Sequence, residues 1–251
     1  MQQTPQHISA EKIRQFLPAD FKGEIIVKEI TASTNSDAKE YALSGAGTGC
    51  VVIAETQTAG RGRMGRVFYS PRESGIYLTI LLHTTPETLL RITPFAGVAV
   101  CKTIEAFSDE QPKIKWVNDI FLRGKKVCGI LCENIPLKSL AAVGIGINLY
   151  PAEFPDELRD IAGSVFTDAS IDINAFIGVL IRNLMDGSLF EGAISEYRRR
   201  SCVTGKEIYY VECGIQHEAK AVAIDDNGGL VISENGFEKT LVAGEITLRI
   251  K

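Results

Sequence analysis

The pattern of hydrophobic residues changes near residue 205, and this change limits the possible folds. Residues 23–204 alternate between strand-like segments, such as "CVVIAET" (50–56), and helical segments, such as 172–185. Residues 205–251 contain only short strand-like segments, with tight turns expected at Gly228–Gly229 and Asn235–Gly236. The sequence therefore predicts a larger domain of helices and strands over residues 1–204. A small barrel of about five strands is expected over 205–251.

The expected elements follow from hydrophobic periodicity and from capping residues. Ser9 is placed to cap a short helix, and Ser33 or Thr34 is placed to cap the helix over 33–43. Further helices are expected at 86–107, with an interruption at Pro94, and at 172–185 and 190–199. Strands are expected at 23–30, 50–56, 75–82, 113–116, 120–134 and 140–149, with a hairpin turn at Arg123–Gly124–Lys125.

Composition excludes several classes of protein. The chain of 251 residues has a net charge of −4 and a pI near 5.5, which argues against general nucleic-acid binding. The N-terminal "MQQTPQHISAEKI" lacks the apolar core of a signal peptide, and there is no run of 18 apolar residues. The six cysteines show no C-x-x-C spacing. We therefore expect a cytoplasmic protein with reduced thiols that binds neither DNA nor membranes.

The stretch "TAGRGRMGR" (58–66) places three glycines and three arginines within seven residues. Its G-x-G-x-x-G pattern does not fit a dinucleotide-binding turn, because Pro71 and the strand-like "GIYLTILL" leave no room for the required helix. It is also not a nucleic-acid-binding repeat, since it occurs once in an acidic chain. A flexible, solvated surface loop remains possible. The alternative is an anion clamp, in which glycines let backbone N–H groups approach a ligand and arginines donate bidentate hydrogen bonds.

The strand "AAVGIGIN" (141–148) has two different faces. Alternation gives one apolar face and a second, nearly bare face that carries Ala142, Gly144, Gly146 and Asn148. Glycine weakens a strand unless something approaches its backbone closely. Two interpretations remain open: tight packing of a helix on the sheet, or the floor of a ligand cavity.

The segment "KWVNDIFLRGKKVCGILCEN" (115–134) carries polar groups around a bend. Strict alternation places Lys126 on the same face as Cys128 and Ile130, and a lysine among apolar neighbours needs a partner such as a phosphate. The three histidines are far apart in sequence, and no G-x-S-x-G, H-E-x-x-H or Walker A pattern occurs. A Ser-His-Asp enzyme or a zinc enzyme is therefore not expected.

Together these segments resemble the biotin protein ligase family. The resemblance rests on "STN" (33–35), "ETQTAGRGRMGR" (55–66), "KWVNDIFLRGKKVCGILCEN" (115–134), "VGIGINL" (143–149) and "GEITLR" (244–249). Val117 departs from the family, which commonly has proline there. The resemblance implies an α+β fold, with a central mixed β-sheet flanked by helices, as in class II synthetases, and a C-terminal SH3-like β-barrel. Because only some 23 residues precede the first strand, we expect a ligase without a DNA-binding domain.

The resemblance also implies a reaction. Such enzymes use ATP and Mg²⁺ to convert biotin into biotinyl-AMP, and then transfer biotin to a lysine of a biotin carboxyl carrier domain. No metal ligands are identified, and a homodimer is possible. Catalytic roles are implied for Lys126, Arg63 and Asp119. Biotin contacts are implied for Ser33, Thr34, Asn35, Gln57, Gly60, Arg61, Gly62, Arg63, Lys126, Gly129, Gly144 and Gly146. Nucleotide contacts are implied for Arg61, Arg63, Arg66, Asn118, Lys126, Asn148 and Arg249.

Two alternative functions remain at the level of sequence. A lipoate or octanoyl ligase or transferase shares the catalytic fold, and a non-catalytic module that binds a biotin-like ligand needs only part of the site. The G-R-G-R-x-G-R sequence favours biotin over lipoate, and the presence of Arg63 and Lys126 favours an enzyme over a binding module.

Overall fold

The computed structural model describes residues 7–168, 171–212 and 215–242, and the backbone of 249–250. The helices are α1 (Ala10–Arg14), α2 (Thr34–Leu43), α3 (Leu89–Phe107), α4 (Asp156–Arg159), α5 (Ile173–Leu184) and α6 (Gly187–Arg200). The strands of the larger sheet are β1 (Ile25–Thr31), β2 (Val51–Gln57), β3 (Gly75–His83), β4 (Lys113–Lys115), β5 (Asp119–Leu122), β6 (Lys125–Ile135) and β7 (Leu140–Asn148). The strands of the smaller sheet are β8 (Glu207–Glu212), β9 (Ile215–Ile224), β10 (Leu230–Glu234), β11 (Phe237–Leu241) and β12 (Arg249–Ile250).

The larger sheet is mixed, which confirms the expected fold class. Its seven strands follow the order β1-β2-β3-β7-β6-β5-β4. β1 and β2 are parallel and are connected through α2, whereas the other neighbouring pairs are antiparallel. A parallel pair needs such a crossover connection. Because α2 covers the sheet near β3 and β7, Asn35 in its first turn lies over Gly144 of β7.

The C-terminal strands form a five-stranded antiparallel sheet in the order β11-β10-β9-β8-β12, as expected for a small barrel-like unit. This sheet shares one hydrophobic core with the larger sheet, since Tyr210 and Ile232 belong to the same buried cluster as Ile80 and Ile104. Trp116 also donates a buried hydrogen bond of 2.8 Å to the backbone oxygen of Gly228. The proposed domain boundary between residues 204 and 205 stays a prediction, because the two parts are packed together.

The expected interruption at Pro94 is wrong. Helix α3 runs without a break from Leu89 to Phe107 and includes Pro94 on its buried face. Proline lacks one backbone N–H, but at the sixth helical position it costs a single hydrogen bond near the amino-terminal end. Its ring packs against Gly228 so closely that a Cβ atom added to Gly228 would lie 2.5 Å from Pro94 Cγ. This packing favours proline at a position where the sequence alone indicates a break.

The start of helix α6 also differs from the expectation. Helix α6 begins at Gly187 rather than near residue 190, because Asp186 Oδ1 accepts hydrogen bonds from the backbone N–H of Ser188 (2.9 Å) and Leu189 (3.2 Å).

In the described residues, no single helix is long and apolar enough to cross a membrane; α5 and α6 reach that length and composition only as a pair, bent by 88°.

Candidate active site

A cavity of about 1130 Å³ lies over one face of the larger sheet and collects most of the predicted site residues. It extends from the start of α2 and the end of β2, across β7 and β6, to β5 and β4. The Gly/Arg segment, residues 60–66, covers part of it. The predicted residues that line the cavity are Ser33, Thr34, Asn35, Gln57, Arg61, Gly62, Arg63, Arg66, Asn118, Asp119, Lys126, Gly129, Gly144 and Gly146.

Of the predicted residues, Gly60 and Asn148 are described but do not line this cavity, and the side chain of Arg249 is not described. Gly60 lies behind it, with its oxygen accepting a hydrogen bond of 2.9 Å from the Phe68 N–H. Asn148 is buried at the end of β7, and its backbone oxygen accepts from Val165. The side chain of Arg249 and most of "GEITLR" lie outside the described residues. Ligand contacts of these three residues stay predictions.

The polar end of the cavity is built at the start of α2. The Thr34 N–H donates to Gln57 Oε1 at 2.9 Å, and Gln57 Nε2 donates to Ser70 Oγ at 3.0 Å. These bonds hold the Gln57 amide in one orientation. Ser33, the residue before the first turn of α2, is buried, and its side chain makes no capping hydrogen bond. This end therefore offers hydroxyl and amide groups to a small polar ring.

Gly144 and Gly146 admit neighbouring side chains, so both interpretations of the bare strand face are partly correct. A Cβ atom on Gly144 would lie 2.0 Å from Asn35 Oδ1, because the start of α2 packs directly on β7. A Cβ atom on Gly146 would lie 2.4 Å from the ring of Phe68. Both glycines also line the cavity. The strand therefore forms the floor of the cavity, and its glycines leave room for Asn35 and Phe68 to pack against it.

The predicted face of Lys126 is wrong. Between β5 and β6, Ile120 pairs with Cys128 but Phe121 pairs with Lys126, so the register shifts by one residue. Such a bulge reverses the alternation of faces. Lys126 consequently points into the cavity with Gly129 and away from Cys128, which lies in the core. Lys126 Nζ forms an ion pair of 2.6 Å with Asp119 Oδ1.

Arg63 brings a poorly solvated cation to the cavity. Its Nη1 atom donates to Asn118 Oδ1 at 3.3 Å, whereas Nη2 is buried and has no hydrogen-bond partner among the described residues. Burial lowers the pKa of the Arg63 guanidinium, and the negative charge of Asp119 opposes this effect. A buried guanidinium with an unused donor is costly unless a ligand supplies an acceptor. This arrangement therefore favours binding of an anion.

The Gly/Arg segment folds back on itself over the cavity. The Gly62 N–H donates to the Arg66 oxygen at 2.7 Å, and Arg63–Gly65 form a single 3₁₀ turn. Gly65 has φ = 71°, a backbone conformation that favours glycine. Arg61 Nη2 donates to Ser36 Oγ at 2.9 Å. Arg61 thus connects the segment to α2, and Arg63 extends into the cavity.

Phe68 and Glu133 also shape the site, although the sequence did not predict either of them. Phe68 lies over Gly129 and Gly146, and only its place just after the Gly/Arg segment could have indicated this role. Glu133, on β6, accepts hydrogen bonds of 2.8 Å from both Asn35 and Lys39. Burial raises the pKa of Glu133, but these hydrogen bonds, together with the positive charges of Lys39 and Arg61, outweigh burial and the pKa is lowered. Glu133 thereby holds Asn35 in place.

Comparison with known proteins first defines the class. The model of the biotin/lipoate A/B protein ligase family matches residues 27–149. The chain is 34% identical over 266 residues to the bifunctional ligase/repressor BirA of Bacillus subtilis, covering 97% of this chain and 80% of that protein. It is 30% identical to a biotin–[acetyl-CoA-carboxylase] ligase of Mycobacterium tuberculosis, covering 86% of this chain and 85% of that protein.

A solved structure agrees with these relatives. The biotin protein ligase of Aquifex aeolicus, in complex with biotin and ATP, superposes with a TM-score of 0.77 at 25% sequence identity. The match covers 91% of this chain and 99% of that chain. The chain belongs to the biotin/lipoate A/B protein ligase family, as one of its biotin protein ligases, which confirms the resemblance noted in the sequence.

Proposed function

We propose that this protein condenses biotin with ATP to form biotinyl-5′-AMP and then transfers biotin to a lysine of a biotin carboxyl carrier domain. One observation carries the proposal: the buried, unpartnered Nη2 of Arg63 shares a cavity with Lys126 and with a recess of fixed polar groups. A recess for a neutral ring beside two cations suits a ligand that joins a ring to a phosphate.

Biotin would occupy the polar end. Its ureido group offers one acceptor oxygen and two N–H donors, which match Ser33, Thr34 and Gln57. Its bicyclic ring would lie near Phe68 and the backbone of Gly146, and Asn35 would support the wall through Glu133. The carboxylate end of the valeryl chain then points along the sheet toward β6. Lys126 lies on that strand.

The first step would take place between Arg63 and Lys126. A biotin carboxylate oxygen attacks the α-phosphorus of ATP, the bond from that phosphorus to the bridging oxygen breaks, and pyrophosphate leaves with the electron pair. Charge builds up on the phosphoryl oxygens during this displacement. Preorganised cations in a partly dehydrated cavity stabilise such charge without needing to reorganise. Asn118 holds Arg63, and Asp119 positions Lys126.

Magnesium fits this site only when it arrives with the nucleotide. In the described residues, no group of three or more His, Cys, Asp or Glu side chains is placed to hold a metal ion. Mg²⁺ commonly binds through substrate phosphates and one or two carboxylates. Asp119, which lines the cavity, would be the protein ligand, and the ion would neutralise charge on the phosphates.

The second step would use the same cavity. The neutral amine of a carrier lysine attacks the carbonyl carbon of the mixed anhydride, an amide bond forms, AMP leaves and the amine releases a proton. The Gly/Arg segment would shield the anhydride from water until the lysine enters. Its relatives include biotin–[acetyl-CoA-carboxylase] ligases, which supports a carboxylase carrier as partner. A cytoplasmic location, a homodimer and a lack of DNA binding stay predictions.

The proposal is tested by incubating the protein with ATP, Mg²⁺, a carrier domain and either biotin, lipoate or octanoate. We expect pyrophosphate release with biotin but not with lipoate or octanoate. The mass of the carrier should then increase by one biotinyl group, located at a single lysine. A carrier variant with that lysine changed to arginine is the matched control. Modification by lipoate or octanoate instead of biotin would contradict the acyl assignment. Binding of biotin without pyrophosphate release would contradict the enzymatic role.

A further inference from the structure

The turn at residues 116–118, between β4 and β5, carries the groups that hold Arg63 and Lys126 in place. Asn118 Oδ1, at the end of this turn, accepts the hydrogen bond of 3.3 Å from Arg63. Asp119, the next residue, forms the ion pair of 2.6 Å with Lys126. No proline within the turn fixes a backbone φ angle, so its shape depends on hydrogen bonds and packing. A shift of the turn would therefore displace both cations.

Strand β6 fixes the turn on the side of the cavity. Asn118 Nδ2 donates to the Ile130 oxygen at 2.7 Å, and the Ile130 N–H donates to the Asn118 backbone oxygen at 3.0 Å. Because the amide nitrogen is engaged with β6, the amide oxygen is turned the other way, toward Arg63. These bonds leave the core side of the turn to be held by other contacts.

Tyr197, on α6, holds the core side of the turn. Its side chain is fully buried, and its hydroxyl donates to the Val117 oxygen at 3.0 Å. Burial raises the pKa of this hydroxyl well above its usual range, so the hydroxyl stays a donor at neutral pH. The charge of Asp119 also raises this pKa and the charge of Arg63 lowers it, so both side chains are within electrostatic reach of the hydroxyl.

A second buried hydrogen bond holds the beginning of the turn. Trp116 Nε1 donates at 2.8 Å to the oxygen of Gly228, which lies between β9 and β10. The bond from Tyr197 acts closer to the cavity, because its acceptor belongs to the peptide group that joins Val117 to Asn118. A buried carbonyl that loses its donor carries an energetic penalty, and the backbone shifts to reduce it. Asn118 and Asp119 would follow that shift.

We propose that Tyr197 is a positioning residue for the adenylation step. It is not among the described residues that line the cavity. It acts through the peptide group between Val117 and Asn118, and so keeps Arg63 and Lys126 in register with each other. This inference rests on the proposed function. A hydroxyl that served only to pack α6 would contribute to stability and leave the rate of adenylation unchanged.

The main experiment compares Tyr197→Phe, which removes only the hydroxyl, with the parent. We expect the single-turnover rate of pyrophosphate release, at saturating biotin and ATP, to fall about tenfold, because small displacements of catalytic groups have large effects on rate. The dissociation constant for biotin should stay within about twofold, since Thr34 and Gln57 are held by other elements.

Tyr210→Phe is the matched control. Tyr210 is also fully buried, and its hydroxyl donates to Glu234 at 2.6 Å in the smaller sheet. This substitution removes a buried hydroxyl of the same kind at a distance from the turn. It should keep the parental rate of adenylation even if it lowers the thermal midpoint as much as Tyr197→Phe does.

A second measurement observes the turn itself and does not depend on catalysis. Trp116 is the only tryptophan of the chain, so its indole N–H gives a single resonance in a nitrogen–proton NMR spectrum. In Tyr197→Phe, hydrogen exchange of this N–H should be faster than in the parent by about tenfold, because the turn opens more often. Tyr210→Phe should leave the exchange rate unchanged.

A parental rate of adenylation in Tyr197→Phe would overturn the proposal, even if the thermal midpoint falls. A loss of biotin affinity as large as the loss of rate would also overturn it, because it would indicate general damage to the cavity. Failure of the parent to release pyrophosphate from biotin and ATP would instead reject the proposed function. The exchange of the Trp116 N–H would in that case still show whether Tyr197 holds the turn.

Discussion

Lys126 Nζ lies 2.6 Å from Asp119 Oδ1, and a β-bulge turns this ion pair into the cavity. Both side chains remain partly exposed, so an incoming phosphate can share the ammonium group with Asp119. The pair therefore fixes the position of Lys126 before substrate binds. A preformed donor of this kind contributes to catalysis because it does not need to reorganise during the reaction.

Lys126→Ala should slow synthesis of biotinyl-AMP by roughly 10²–10³-fold, the scale for losing one preorganised electrostatic donor. The thermal midpoint should change little, because Lys126 lies outside the core. Single-turnover formation of adenylate measures this effect. Lys125→Ala is the neighbouring control, since Lys125 Nζ donates to the Arg159 oxygen at 3.0 Å and Lys125 is not among the described residues that line the cavity. Near-normal adenylation by Lys126→Ala would remove this residue from the mechanism.

Gly144→Ala should weaken biotin binding by at least tenfold. The new methyl group would lie 2.0 Å from Asn35 Oδ1, so Asn35 must move and break its hydrogen bond of 2.6 Å with Thr79. Overpacking of this kind costs about 1–3 kcal/mol. Calorimetric titration with biotin and the free energy of unfolding are the two measurements.

Gly192→Ala is the control for that substitution. A Cβ atom at Gly192 on α6 meets nothing within 4 Å, so alanine should be neutral or stabilise the helix by up to about 1 kcal/mol. Parental biotin affinity in Gly144→Ala would show that the contact between Asn35 and Gly144 does not shape the biotin site.

Arg63→Gly should weaken retention of the adenylate more than its synthesis. No described residue accepts a hydrogen bond from Arg63 Nη2, so this donor is available to the acyl phosphate. A charge-assisted hydrogen bond contributes about 1.5–3 kcal/mol, which corresponds to roughly 10–150-fold in retention. Released adenylate would acylate exposed lysines of a bystander protein, which is detected by probing that protein for biotin. Arg72→Gly, outside the cavity, should cause no such labelling.

Stability should depend on Glu196 at acid pH. Hydrogen bonds from Arg199 and Arg200 lower the pKa of Glu196 from 4.5 to about 2, although burial opposes them. A pKa that is lower in the folded state stabilises the protein above pH 4.5, and this contribution is lost as the pH falls from 4.5 toward 2. Glu196→Gln should flatten the fall in unfolding free energy across this range, whereas Glu157→Gln, on the surface, should leave it unchanged. Identical curves for Glu196→Gln and the parent would contradict this.

Most of the elements and most of the site could be predicted from local sequence signals. The segments "STN", "GRGRMGR" and "KWVND" contain residues that converge on one cavity, because each follows or precedes a strand of the same sheet. The sequence indicates a break at Pro94 because its packing partner, Gly228, is distant in the chain and lies in the turn between β9 and β10.

The sequence by itself determined the class of fold, the change to short strands near residue 205 and the chemical types in the site, because hydrophobic period, turn residues and motifs are local properties. Only the tertiary structure decided where those groups point. The bulge at Lys126 reversed its predicted face, and the order β3-β7-β6-β5 placed the polar end beside the cations of Arg63 and Lys126 in one cavity. Register and strand order depend on long-range pairing, which local patterns do not encode.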